Sequence, residues 1–549
     1  LVEGLIVELA RVCWKVGGDR LRLLDYSPDN AKTQKNLWAS STMTDTVFNT
    51  GGDESALPLS GARLMAHWLE SPQAQNPIDE LPALRAHLDS LSELTFTPQQ
   101  RASALDGLYK RGFLVIAGIL PSLTNSMLPV ERKSRRVVRS VLDLLQGLAD
   151  QTSALVSLFN SENLNDTRHA PELALWRSLH ALAYQLMISN VIASPAPTGV
   201  WRQLHQTYQY AQRLDLHGRV PHGASSSLQH IYHAAVLLGC SQPASLTPRE
   251  VLFLAAYFER FADQIQIGEM KPVVAADSFW VDPDRDIAAF SCLRKPLIVA
   301  GEIAPIFFSC ERISKLLKAQ LTELEAGTPP LHINLPDFAA TSAGLGVLRR
   351  LAGRWGDSGK RRYNRRRQNQ RTVLATGIDG LWSLYKAGEG AEVELSSWMI
   401  TNESPDGYAV MHVTGKTGKL SVGDVVAVRS GTTGDWQICL ARWAVSENPE
   451  HLELGLQILA PKAIPAILAQ TKGAKGAEYL RVLVLPELQK IRSQKLLVVA
   501  AGAIPKKKKK LLLVVDGKNI AIHEVFVTAV DEQTGSVEIL SISPDESSC

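Results

Sequence analysis

Arg365-Arg366-Arg367-Gln368-Asn369-Gln370-Arg371 runs directly into Thr372-Val373-Leu374-Ala375-Thr376, and with thirty residues between it and Arg371 comes Asn402-Glu403-Ser404-Pro405-Asp406-Gly407. The first segment supplies planar, permanently charged guanidinium forks, groups that pair bidentately with phosphate and stack on flat rings. The second is a turn with a side-chain amide, a hydroxyl, and a glycine that lets another backbone come close. Between them lies sequence with the alternation of β-strands. The two segments read as half-sites facing each other across one strand.

Working outward, the β pattern fills 372–460. Strands are expected at 372–376, 393–401, 408–413, 424–429, 436–445 and 452–459, separated by Gly, Asp, Asn and Ser turns. Six short strands in so few residues suit a small closed barrel, whose closure removes exposed edges. Residues 461–470 read as a helix. A second β-rich block follows at 480–485, 496–501, 511–515, 520–529 and 536–540, and the tail from Ser543 is polar.

Upstream, Arg349 to Arg371 holds ten Lys or Arg against one acid, Asp357, so this stretch calls for an anion. Gly353, Gly356 and Gly359 make a flexible approach to it, preceded by helices expected at 311–326 and 338–354. From about 57 to 270 apolar residues recur at three and four, the helical period. The clearest stripe is Val138, Val141, Leu145, Leu148, Thr152, Leu155 and Phe159; the helix opens with Arg132, Lys133, Arg135, Arg136 and Arg139, read as a solvated face. Trp176-Arg177-Ser178-Leu179-His180 recurs as Trp201-Arg202-Gln203-Leu204-His205, a weak repeat that suggests stacked antiparallel helices of the kind that bind protein partners. Residues 279–310 read as a short connector or a degenerate strand-rich module.

The pair Arg367-x-x-x-Arg371 and Asn402-x-Ser404-x-x-Gly407 resembles the two signature motifs of the PilZ domain, a small β-barrel that binds cyclic di-GMP. The resemblance covers about 360–470. Val422-Gly423-Asp424, Arg442-Trp443 and Leu454-Gly455-Leu456 look like that family's later strands. It implies that Arg367 and Arg371 grip phosphates and guanine edges while Asn402, Ser404 and Gly407 bind base and backbone groups. Arg366 matches a position associated with a stacked ligand dimer. Arg361/Arg365 and Arg362/Arg366 also satisfy R-x-x-x-R; Arg367/Arg371 is preferred because Arg371 abuts the first strand.

At 549 residues, 45% hydrophobic and 21% charged, the chain is expected to hold roughly three or four soluble domains. Its six cysteines (13, 240, 292, 310, 439 and 549) include no C-x-x-C pair, which argues against a disulfide framework or structural zinc. No apolar run is long enough for a membrane span. Asp282-Pro283-Asp284-Arg285-Asp286 lacks the glycine and terminal glutamate of a calcium loop, and Gly415-Lys416-Thr417 lacks the upstream glycine of a P-loop. Lys506 to Lys510 reads as a loop able to touch acidic partners or anionic lipid. Histidines show no metal spacing, and no catalytic constellation is present.

The sequence therefore predicts an α+β multidomain protein. It has a poorly defined segment at 1–56, with Met43 the more natural beginning and 1–42 upstream of the working chain. An α-helical interaction domain follows at 57–278, a connector at 279–359, a six-stranded PilZ-like barrel at 360–470, and a second small β-rich domain at 471–549. The function it predicts is a cytoplasmic, non-enzymatic receptor for cyclic di-GMP. It needs no other cofactor and no metal, and has a protein partner on the helical domain. A nucleic-acid-binding protein, with a steep salt slope, and a scaffold with a ligand-free barrel are the alternatives.

Overall fold

The computed structural model describes residues 61–544, apart from 94–95, 163–170, 269–274, 276, 294–303, 357–362, 388–391, 419, 431–434, 449, 472–476, 489–491, 506–509 and 517–519. Expectations placed on 1–60, on Arg361 and Arg362 and on the lysines at 506–509 fall outside the described residues.

Eight helices come first: α1 (Gly61–Glu70), α2 (Leu81–Glu93), α3 (Pro98–Leu123), α4 (Arg132–Glu162), α5 (Pro171–Val191), α6 (Val200–Arg213), α7 (Leu228–Cys240) and α8 (Pro248–Phe261). Capping boxes fix two of the starts: Thr97 with Gln100, and Thr247 with Glu250, each followed by proline at the first helical position. The α4 stripe is buried from Val138 through Leu155. The repeated Trp-Arg-x-Leu-His strings lie on α5 and α6, and in each the tryptophan stacks on the histidine one turn later, at 4.8 Å for Trp176–His180 and 5.7 Å for Trp201–His205. Burial pushes His180 down to about 3 and His205 to about 4, so both are neutral core groups.

Strands β1 (Gln266–Gly268), β2 (Ser278–Val281), β3 (Phe290–Ser291) and β4 (Ile306–Ser309) form a small sheet in the order β1-β4-β2-β3. Helices α9 (Glu311–Ala326) and α10 (Ser342–Gly356) lead to two closed antiparallel barrels. The first comprises β5 (Arg366–Thr376), β6 (Leu395–Ser404), β7 (Gly407–Thr414), β8 (Val425–Ser430), β9 (Gln437–Asn448) and β10 (His451–Ala460), with α11 (Ile378–Ala387) inserted after β5. The second comprises β11 (Ile464–Thr471), β12 (Ala477–Leu485), β13 (Lys495–Ala500), β14 (Lys510–Asp516), β15 (Ile520–Gln533) and β16 (Val537–Pro544).

Three expectations are corrected. Residues 461–470 are not a helix: Ile464–Thr471 is a strand paired with β12 and β14, and Ala466 and Leu468 point into the second barrel. Cross-strand pairing overrides the helix preference of an Ala/Leu-rich segment. The stretch 372–460 is not β throughout, because α11 stands between the first two strands. The first strand begins at Arg366, so the preferred arginines lie within it rather than in the flexible approach.

One continuous apolar core runs from the helices into the first barrel, where Trp398, Ile400, Val410 and Leu454 are buried. The outer faces of the two barrels meet over a second core that includes Leu381 and Leu384 of α11, Leu440 of β9 and Val498 of β13. The loop before α4 docks on the first barrel, with the Leu128 amide donating to the Leu420 carbonyl at 3.1 Å. The basic start of α4 is only partly a solvated face: Arg135 donates to the carbonyls of Ser446 (2.7 Å) and Glu447 (3.2 Å), and Arg132 pairs with Glu450, while Arg136 and Arg139 are exposed.

Candidate ligand-binding face

In the β5–β6 ladder Arg366 stands opposite Glu403, Arg367 opposite Asn402, and Arg371 opposite Met399. In the β6–β7 ladder Glu403 faces Tyr408, Asn402 faces Ala409, and Ser404 faces Gly407. Direct cross-strand neighbours share a face. Tyr408 packs against the core and its hydroxyl donates to Gln437 at 2.8 Å, which marks its side as inner. Arg367, Asn402 and Ala409 therefore take the outer face. Ser404 and Gly407 join them two steps along, and Arg371 with Met399 two steps the other way along β7. Five of the six expected site residues thus share one outer face. Arg366 does not: it lies on the Glu403 side.

Irregularities at Thr401 produce this arrangement. The ladder advances three residues on β5 from Arg367 to Gln370 while β6 advances two, and two on β6 while β7 advances one. Bulges of this kind re-aim side chains and bend the strand. Gly407 is required by close approach: a Cβ there would lie 1.9 Å from the Leu456 carbonyl oxygen. The turn before it is tied down, with the Ile458 amide donating to the Asp406 carbonyl at 2.9 Å and the Ser404 hydroxyl to the Gly407 carbonyl at 3.3 Å. Among the described residues, no hydrogen bond or ion pair engages the side chains of Arg366, Arg367, Arg371 or Asn402, and the three arginines are exposed. The forks are open to an anion.

The same outer face continues onto β10 and β9. Gln457 pairs with Gly407, and Arg442 donates through Nε to Gln457 Oε1 at 2.6 Å. Trp443 stands opposite Gly455, where a Cβ would lie 1.7 Å from the indole nitrogen, so the ring covers that glycine. In the sequence Arg442-Trp443 reads only as part of a strand. The signal available was an Arg-Trp pair facing a glycine on the next strand, which leaves a flat aromatic surface beside the turn. Guanidinium forks, an amide, a hydroxyl and an indole on one face suit a planar, phosphate-bearing ligand.

Residues 63–272 match the family described as "Cyclic-di-GMP receptor FimW, N-terminal domain", and residues 384–465 match "Cyclic-di-GMP receptor FimW, middle PilZ domain". The second match contains Asn402, Ser404 and Gly407 and begins after Arg371. A curated relative, the Cyclic-di-GMP receptor FimW of Pseudomonas aeruginosa, is 19% identical over 503 residues, covering 77% of this chain and 81% of its own. No solved structure matches. Among the described residues no helix is long and apolar enough to cross a membrane, and no group of three or more His, Cys, Asp or Glu could hold a metal ion.

Proposed function

We propose that this chain, which belongs to the FimW family of PilZ-domain receptors, binds cyclic di-GMP on the outer face of its first barrel. The observation that carries the reading is the register pair Arg367–Asn402, on one face with Arg371, Ser404 and Gly407. Arg367 and Arg371 bind the phosphates, and Asn402 and Ser404 address a guanine edge. Gly407 lets the β6–β7 turn lie close to β10, and Trp443 offers a ring on which a purine stacks. Arg366, turned to the Glu403 side, belongs to the site only when a second ligand molecule extends around the barrel edge.

The protein acts by binding and not by catalysis, in the cytoplasm, and passes occupancy of the face to a protein partner on the helical domain. Differential affinity of the ligand for two domain arrangements is the physical means. Calorimetric titration of the whole chain with cyclic di-GMP tests the reading, with Arg371→Ala alongside. Saturable heat that is lost in the variant supports it; no heat from the intact protein sinks it.

A further inference from the structure

The ligand face is wired to the junction where all the domains meet. Arg442 stands on β9 between two acceptors: Nε donates to Gln457, the cross-strand neighbour of Gly407, at 2.6 Å, and Nη1 lies 2.8 Å from Glu532 at the end of β15. Glu532 is shared with Arg350 of α10 at 3.4 Å, and Arg350 lies 2.6 Å from Glu250 of α8. Two guanidiniums and two carboxylates thus join the helical domain, α10 and both barrels. The side chains of Glu250 and Glu532 are 1% and 14% exposed, so each depends on its arginine for compensation. Beside the cluster lies a cavity of about 700 Å³, lined by Arg442, Trp443, Arg350, Arg354 and Glu532 among others. Arg442 has room to move.

We infer that Arg442 is a ligand-binding residue shared between the ligand face and this junction, and that Glu532 is a positioning residue that competes with an anionic ligand for its guanidinium. The inference rests on the proposed binding of cyclic di-GMP. When a phosphate occupies the face, Arg442 turns from Glu532 toward it, and Glu532 of the second barrel loses one of its two arginine partners. In the empty protein the same tie restrains Arg442 and lowers affinity. Linkage requires the ligand to weaken the tie by the same factor as the tie weakens the ligand.

The test is calorimetric affinity for cyclic di-GMP in the full chain. Glu532→Gln is expected to tighten binding about fivefold, Arg442→Gln to weaken it, and Glu532→Gln to have no further effect once Arg442 is replaced. A merely structural Glu532 predicts weaker or unchanged binding in Glu532→Gln, and either result overturns the coupling. Hydrogen exchange on the wild-type chain supplies a readout independent of any variant's folding: ligand should speed exchange at residues 529–533, and unchanged protection there overturns the proposal. Absence of binding by the wild type fells the receptor reading as well, whereas binding without these effects fells the coupling alone.

Discussion

At the scale of single residues, the outer face makes each expected contribution separable. A charged hydrogen bond contributes about 1.5–3 kcal/mol, so Arg367→Ala or Arg371→Ala should weaken cyclic di-GMP binding by roughly tenfold or more, read by titration at fixed salt. The melting temperature should barely change, because both side chains are exposed and without partners among the described residues. Gly407→Ala should lower the stability itself. Its methyl group would meet the Leu456 carbonyl at 1.9 Å, so β7 and β10 must separate, at a cost of about 1–3 kcal/mol in a denaturant titration. Asp424, just before β8, adds a pH dependence. Burial raises its carboxyl to about 6, against hydrogen bonds from Ser536 and the Ser421 amide that lower it. A carboxyl raised above its unfolded value is bound to its proton more tightly in the folded state. Its stabilisation is therefore complete below about pH 4 and is lost as pH rises through about 6. Asp424→Asn should match wild type in stability at pH 4 and exceed it at pH 8 by about 3 kcal/mol, as urea unfolding at the two pH values would report.

At the scale of elements, what the sequence disclosed and what it hid have the same physical origin. Strands β6, β7, β9 and β10 were legible because alternation and turn residues both pointed to them, and so were Asn402, Ser404 and Gly407, whose spacing is local. Strand β11 was not, because Ala466, Leu468 and Ala469 carry no local preference for extension; partners β12 and β14 decide it. Helix α11 is not legible between two strands, since its apolar residues Leu381 and Leu384 serve a contact between barrels that no local pattern announces. The start of β5 is hidden for a related reason: Arg366 to Arg371 is polar throughout and becomes a strand only by pairing with β6. The orientation of Arg366 was hidden as well, because it depends on register, and a slip of one residue exchanges the two faces. That dependence can be tested. Deleting Asn369 shortens β5 between Arg367 and Arg371 and should carry Arg367 to the inner side while Arg371 stays in place. Cyclic di-GMP affinity is expected to fall at least tenfold, with the β-sheet circular-dichroism signal retained.

At the scale of the molecule, the arrangement of domains hangs on α10. Its small residues let it approach the second barrel: a Cβ on Gly346 would lie 1.9 Å from the Gln533 carbonyl. One turn further along, Arg350 reaches Glu250 in one direction and Glu532 in the other. Desolvation alone would lower the basicity of this guanidinium, but the two carboxylates outweigh it and raise it, so the arginine is charged at every pH the fold tolerates. A buried ion cluster of this kind adds little net stability over apolar packing, yet breaking it from one side leaves uncompensated charge. Arg350→Ala should therefore cost about 3–5 kcal/mol, and the loss should fall on the contacts between domains rather than on either barrel's interior. Calorimetric unfolding is expected to resolve a separate, earlier transition, and small-angle scattering at 25 °C to show a larger radius of gyration. Replacing Arg350 together with its two carboxylate partners, as Arg350→Met, Glu250→Gln and Glu532→Gln, removes the stranded carboxylates and should recover most of the lost stability. A triple variant as unstable as Arg350→Ala would mean that the packing of α10, and not its charge, holds the domains in place.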